Sequence, residues 1–413
     1  MIYIKRSLLG ELQNHLSKKE ISLIIGPRQS GKTTLLNFLK KKLDENGERT
    51  LYLNLDIESD NTHFKSQQTL LNKIQLEIGK EHGFIFIDEI QRKENAGLFL
   101  KGLYDLNLPY KFIATGSGSL ELKEKIHESL AGRKRLFFLP PLTFEEFVNF
   151  KTNYRYEGKL TDYFEIEYDK AYGFFEQYIN FGGYPKVILS ETEEEKKKII
   201  DEIYQSFIIK DISFLLKVRN TEAFSNLVKI LSGQIGQLIN YSELSSTLGI
   251  STQTVKDYLW YLEKTFIVKK STPFFKNLRK EISKSPIYYF YDLGIRNYIS
   301  GQFDHSVLDP GSGFLFQNFI QNRLINFQSE NSNVRFWRSK DGAEVDFIIE
   351  KEGKIIPIEA KFKSLKKPAV SRSLRSFIGK YKPDNAYIIN LTLDKTEVVS
   401  GTRVHFLPFH KIP

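Results

Sequence analysis

Two short stretches combine residue types at spacings that chemistry uses. Gly26-Pro27-Arg28-Gln29-Ser30-Gly31-Lys32-Thr33 follows an apolar run at 21–25 and leads into Thr34-Leu35-Leu36. The glycines let the backbone wrap tightly, so that successive N–H groups converge on phosphate oxygens. A helix beginning at Lys32 adds the positive end of its dipole. Lys32 is long enough to reach β- and γ-phosphates, and the Thr33 hydroxyl can fill a Mg²⁺ coordination position. Residues Gly26 to Thr34 are therefore the expected nucleotide-binding set, with ATP and Mg²⁺ as cofactors. The second stretch is Asp88-Glu89, at the end of the apolar segment Phe84-Ile85-Phe86-Ile87. Carboxylates at the C-terminal end of a buried strand lie where open α/β sheets bind ligands. Asp88 is expected in the Mg²⁺ shell, and Glu89 is expected to polarise the attacking water. A further strand end, Thr115-Gly116-Ser117-Gly118-Ser119, offers small hydroxyls; Thr115 is the expected γ-phosphate sensor, while Ser119 also suits a helix N-cap.

The elements that must position these groups alternate. Apolar runs at 21–25, 50–56, 84–88, 111–115 and 135–139 are separated mostly by helical patterns. Such alternation predicts a parallel sheet covered by helices. With 413 residues the chain exceeds one ordinary core, so two to four domains are expected. The absence of cysteine excludes disulfides and thiolate metal sites. No apolar segment approaches the ~18 residues of a membrane span. The first residues lack the apolar stretch of a signal peptide, so the cytoplasm is the expected compartment. A net charge of +10 suits an anionic partner such as DNA.

The wording GPRQSGKT, FIDEIQR, ATGSGS and AGRKRLFFLPPLTFEEF resembles a prokaryotic family of AAA-type ATPases. That family carries a C-terminal domain often described as restriction-endonuclease-like. The resemblance implies an α/β multidomain fold. A P-loop ATPase core would span 1–150, a helical lid 151–235, a winged helix-turn-helix 236–284 and the C-terminal α/β domain 285–413. It also implies a role for Arg133, which would stabilise γ-phosphate charge in cis or across the interface of a homo-oligomer.

Two further patterns bear on partners. Tyr241 to Leu248 suits a short helix, Gly249-Ile250-Ser251 a tight turn, and Thr252 to Lys264 a longer helix with Val255, Leu259 and Leu262 on one face. A strand at 266–268 completes a winged helix-turn-helix. Its second helix is expected to expose Gln253, Lys256, Asp257 and Tyr258. Near the end, Glu352-Gly353 reads as a hairpin turn that pairs Lys351 with Lys354. Counting outward, Asp346 faces Glu359, and Lys361 shares that face. Two carboxylates and a lysine suit metal-assisted phosphodiester cleavage. They match the D…E-x-K signature of restriction-endonuclease-like folds, although Gln317 stands where many of those folds carry another acid. Lys361, Lys363, Lys366, Lys367, Arg372 and Arg375 form a basic stretch beyond the pair.

The leading expectation is an ATP hydrolase whose nucleotide state acts on a DNA-associated C-terminal module. An ATP-gated protein-interaction scaffold without nuclease activity and an ATP-regulated DNA nuclease are the alternatives.

Overall fold

Strands β1 (Ile21–Gly26), β3 (Gly83–Asp88) and β4 (Tyr110–Ser117) are buried at every position. Strands buried along their whole length belong inside a parallel sheet covered on both faces. The computed structural model describes residues 3–117, 130–207, 220–274, 285–303, 312–326 and 334–412. In it these strands are the three inner members of a five-stranded parallel sheet ordered β2-β3-β4-β1-β5, with β2 at Thr50–Asn54 and β5 at Lys134–Phe138. Because β4 lies between β1 and β3, three strand ends converge beside the loop that follows β1. Ile87 pairs with Ala114, so Asp88 and Thr115 stand side by side. Helix α1 (Lys32–Glu45) packs Leu35, Leu36 and Leu39 against one sheet face. Helices α2 (Gln67–Ile78) and α3 (Ala96–Asp105) cover the other.

Past β5, the chain turns at Pro140-Pro141 into α4 (Phe144–Lys151), which opens with a Thr143–Glu146 capping box. Helix α5 (Tyr168–Phe181) ends at the Gly182-Gly183 turn, and Pro185 begins α6 (Pro185–Leu189). Helices α7 (Glu193–Ser206) and α8 (Thr221–Gly233) follow. Next come α9 (Tyr241–Leu248) and α10 (Thr252–Lys264), then an antiparallel pair, β6 (Val268–Ser271) with β7 (Ile287–Phe290). The short helix α11 (Leu293–Ser300) leads towards α12 (Ser312–Asn326). The C-terminal part is a six-stranded mixed sheet ordered β12-β13-β11-β10-β9-β8, with β8 at Arg335–Arg338, β11 at Asn385–Asn390, β12 at Lys395–Val399 and β13 at Thr402–Pro408. Its members used below are β9 (Glu344–Lys351) and β10 (Lys354–Ala360), with α13 (Arg372–Tyr381) packed on β9.

Three expectations change. The segment at 266–268 is not a strand throughout: Phe266 adopts φ +62° in a turn, and β6 begins at Val268. Its partner β7 lies beyond residue 284, so the helix-turn-helix and its hairpin extend past the expected boundary. Beyond residue 142 one apolar cluster also crosses the expected boundaries, from Leu142 through Phe175, Leu259 and Phe319 to Phe409. Aromatic rings make that continuity: Phe144 contacts Phe319 edge-on at 5.5 Å, and Phe175 lies 4.5 Å from Phe409. Among the described residues, no helix is long and apolar enough to cross a membrane.

Candidate nucleotide site

The loop after β1 is built for close backbone approach. A Cβ on Gly26 would lie 2.1 Å from the Leu139 carbonyl oxygen, so only glycine fits there. Gly31 adopts φ +95° and caps α1, a conformation that L side chains rarely take. Gln29 also has positive φ, at +59°. The Lys32 ammonium donates to the Gly26 and Pro27 carbonyls at 3.2 and 2.7 Å. The buried Ser30 hydroxyl has no hydrogen-bond partner within the protein, an orphaned polar atom in a loop suited to a polar ligand.

One carboxylate organises the strand ends. Asp88 is fully buried. Its Oδ2 accepts from the Thr33 hydroxyl at 2.7 Å and from the Tyr52 hydroxyl at 2.8 Å. Its Oδ1 accepts from the Thr115 hydroxyl, and from the Glu89 N–H at 3.1 Å. Burial first, and the Asp88 charge second, push the Tyr52 phenol above its ordinary value, which keeps it a donor. Thr33 and Asp88 thus present a hydroxyl and a carboxylate to one point, the oxygen donors that a hard cation takes. These residues fit Mg²⁺.

Glu89 turns off the strand with φ +56°, an uncommon conformation for its type. Its carboxylate accepts from the Gln91 amide, whose oxygen accepts the Ser117 N–H at 3.2 Å. Gln91 therefore ties Glu89 to the end of β4. Gly118 and Ser119 lie outside the described residues.

Arg133 is placed elsewhere. Its carbonyl accepts the Ile21 N–H, at the start of β1, whereas the phosphate loop follows the end of β1. At ~3.3 Å per residue the strand separates them by roughly 16 Å. Its guanidinium is paired with Asp105 at 2.8 Å. Of the two expected placements, in cis or across a subunit interface, the one in cis is not met: Arg133 lies at the N-terminal ends of the strands, away from its own loop.

Several site residues carry no signal in the sequence. Beside the loop lies a cleft of about 160 Å³, lined on its apolar side by Tyr3, Ile4, Leu142, Pro185 and Leu189. It adjoins Ser30, Gly31 and Thr34, so a ring held there would have its attached phosphates at the loop. Pro185 Cγ lies 3.7 Å from the position a Cβ on Gly31 would take. The turn before it is tightly seated: the Leu142 N–H donates to the Gly183 carbonyl at 2.7 Å, and the Gly183 N–H donates to Asp292 at 2.7 Å. Arg6 and Tyr52 likewise join the site only through the fold. Gln91 stands within the FIDEIQR stretch, where its type alone suggests no role.

The second cluster lies on β9 and β10. The pairing runs from Lys354↔Lys351 to Ile358↔Phe347, as the turn arithmetic expects, and leaves Asp346 and Glu359 next in line. Asp346 accepts from the Ala360 N–H at 2.7 Å and from the Gln317 amide at 3.0 Å. Glu359 accepts from Ser371 at 2.5 Å, and its other oxygen, without a hydrogen bond, faces the Lys361 ammonium at 3.5 Å. Burial pushes the Asp346 carboxyl up to about 7. Among the described residues, no group of three His, Cys, Asp or Glu could hold a metal ion; an amide takes the third corner.

On α10, Gln253, Lys256 and Asp257 are exposed, but Tyr258 is buried, donating to the Asn220 carbonyl at 3.3 Å and lying edge-on to Phe224. The expected exposure of Tyr258 is corrected, because α8 covers that flank. Gln253 donates to Asp257 at 2.8 Å.

Residues 18–148 match the family described as an AAA domain. Residues 173–306 and 312–412 match two domains of unknown function, DUF8612 and DUF4143. An uncharacterized protein of Mycobacterium tuberculosis is 27% identical over 379 residues, 91% of this chain and 77% of its own length. Another, from Methanocaldococcus jannaschii, is 28% identical over 353 residues, covering 83% of this chain and 75% of its own. Among solved structures, Orc1 of Aeropyrum pernix in complex with DNA matches with TM-score 0.33 and 14% identity, over 73% of this chain and 93% of that one. AMPPCP-bound DnaA from Aquifex aeolicus matches with TM-score 0.26 and 15% identity, over 62% and 86%. The AAA match and the parallel sheet together give the N-terminal domain an AAA-type fold, beside a separate mixed-sheet C-terminal part.

Proposed function

We propose that this protein binds and hydrolyses ATP with Mg²⁺ at the Gly26–Thr34 loop, and that its nucleotide state acts on a DNA-associated C-terminal module. The observation that carries the first part is the convergence of Thr33, Tyr52 and Thr115 on the buried Asp88 carboxylate at the mouth of the loop. Bound there, Mg²⁺ would neutralise charge on the β- and γ-phosphates. Thr33 and Asp88 would hold that ion. Lys32 and the loop N–H groups orient the phosphates, and the base rests in the cleft against Tyr3 and Pro185. Glu89, held by Gln91, takes the proton of the attacking water. Thr115 reports the γ-phosphate to Asp88 and to the Glu89 N–H, which it accepts at 3.2 Å. Arg133, remote from its own loop, would serve a neighbouring subunit.

The exposed Lys363, Lys366, Lys367, Arg372 and Arg375 beside the Asp346–Glu359 pair support contact with a phosphate backbone. The helix-turn-helix with its hairpin supports the winged-helix reading. Gln317 at the third corner favours a module that binds DNA without cutting it over an ATP-regulated nuclease. Incubation with plasmid and Mn²⁺, beside an Asp346→Ala variant, decides between them. Salt-sensitive binding with intact plasmid supports the binding module, and cleavage lost only in the variant supports the nuclease. No binding at low salt would leave an ATP-gated protein scaffold.

A further inference from the structure

The first turn of α4 holds two consecutive acids whose side chains serve opposite parts of the molecule. Glu146 is buried beside Arg6. Its Oε2 accepts from Arg6 Nε and the Thr143 N–H, both at 3.0 Å, and its Oε1 accepts from the Ser7 N–H at 2.7 Å and the Ser7 hydroxyl at 2.9 Å. Arg6, so fixed, donates to the Ser30 carbonyl inside the phosphate loop at 2.8 Å and to the Pro140 carbonyl at 2.6 Å. It also lines the cleft. Every group in this set is satisfied. Breaking one partner of such a buried pair costs ~3–5 kcal/mol, so the set moves as a unit.

Glu145 faces the other way. It pairs at 2.5 Å with Arg323 of α12, itself only 6% exposed. Arg323 also donates to the Phe409 carbonyl near the C-terminus. One residue earlier, Phe144 packs edge-on against Phe319, one helical turn from Arg323. The two ends of this arrangement share a rigid, capped helical turn. A shift of the Ser30 carbonyl must be taken up by Arg6 and Glu146, and Glu145 on the same turn passes it to α12.

We propose that the Phe144–Glu146 turn couples the two ends of the molecule: Arg6 and Glu146 position the phosphate loop, and Glu145 with Arg323 transmits its occupancy to the C-terminal domain. The coupling rests on the nucleotide-binding reading of the loop. Arg6 and Glu146 are positioning residues, and Glu145 lies outside the nucleotide cleft.

The test uses the full chain, ATPγS with Mg²⁺, and two readouts, the Kd and amide hydrogen exchange over 312–326 and 409–412. Wild type should gain protection in those segments on binding ATPγS. Glu145→Gln, which keeps the shape of the side chain, should lose that response and shift the Kd by about five-fold or more. Glu145→Gln with Arg323→Met should match the stronger single variant rather than the product of both. Arg323→Lys should recover part of the response that Arg323→Met loses. Failure of wild type to bind ATPγS would sink the reading of the loop. Binding with unchanged exchange in wild type, or a Glu145→Gln variant that responds as wild type does, would overturn the coupling alone.

Discussion

Two glycines in and after α5 answer the same substitution with opposite signs. Gly183 has an ordinary backbone conformation, so alanine is tolerated there locally. Its Cβ, however, would lie 2.3 Å from the Leu142 carbonyl oxygen and 3.1 Å from the Leu142 nitrogen. Both are main-chain atoms and cannot rotate away. The turn must withdraw from Leu142 and the N-terminal domain, stretching the 2.7 Å hydrogen bond from Leu142 to Gly183. Overpacking of this kind costs ~1–3 kcal/mol, and the hydrogen bond adds ~1, so a loss of roughly 2–4 kcal/mol is expected. Pro185 would move with the turn, away from Gly31 and the cleft. ATP-analogue affinity should fall about ten-fold, equivalent to ~1.4 kcal/mol. Gly173 is exposed in the middle of α5, and a Cβ there would meet no atom within 4 Å. Gly173→Ala should therefore stabilise by ~0.5–1 kcal/mol and leave affinity unchanged. Thermal denaturation and titration with a fluorescent ATP analogue read both effects. A Gly183→Ala protein that melts and binds like Gly173→Ala would refute the docking of the Gly182-Gly183 turn on Leu142.

Lys32→Ala should abolish nucleotide binding in the same titration, because the ammonium now held by the Gly26 and Pro27 carbonyls is the group proposed to meet the outer phosphates. Tyr52→Phe removes one donor to Asp88; the Mg²⁺ concentration for half-maximal ATPase activity should change by several-fold, consistent with ~1 kcal/mol for a hydrogen bond. Asp292, which accepts from Gly183 and caps α11, is pushed by burial from 3.8 up to about 6. The unfolded chain releases that proton at lower pH than the folded one, so this contribution favours folding below pH 4 and is lost as pH rises through 6. The loss is ~3 kcal/mol at most. Asp292→Asn should therefore compare more favourably with wild type at pH 7.5 than at pH 4.5 in thermal melts; an identical difference at both would contradict it.

The phosphate loop, the strand carrying Asp88 and the β9–β10 hairpin are legible in the sequence because each is local: its signal lies within a few residues and its geometry follows from period and turn type. Arg6, Glu146 and Pro185 are not, because their partners lie far along the chain and their types are ordinary. Arg6 reaches Glu146 across 140 positions. Tyr52 reads as one more alternating strand residue until β2 is set beside β3. Arg133 shows the limit of a motif: its neighbours in sequence resemble a family segment, yet its place at the start of β5 is fixed by sheet direction. Tyr258 shows the limit of a helical face, since α10 is covered on two sides, by its own partner helix and by α8. One apolar cluster crosses the boundaries expected beyond residue 142, because Phe144, Phe175, Phe319 and Phe409 bridge what turn signals divide.

The central claim is that Glu89 activates water against a nucleotide held by the loop and Asp88. Single-turnover hydrolysis of ATP with Mg²⁺ by wild type and Glu89→Gln, at enzyme excess and with binding measured in parallel, tests it most directly. Equal binding is expected, with turnover in the variant slower by at least ~10²-fold, the scale of a general base. Hydrolysis by Glu89→Gln at the wild-type rate would contradict it.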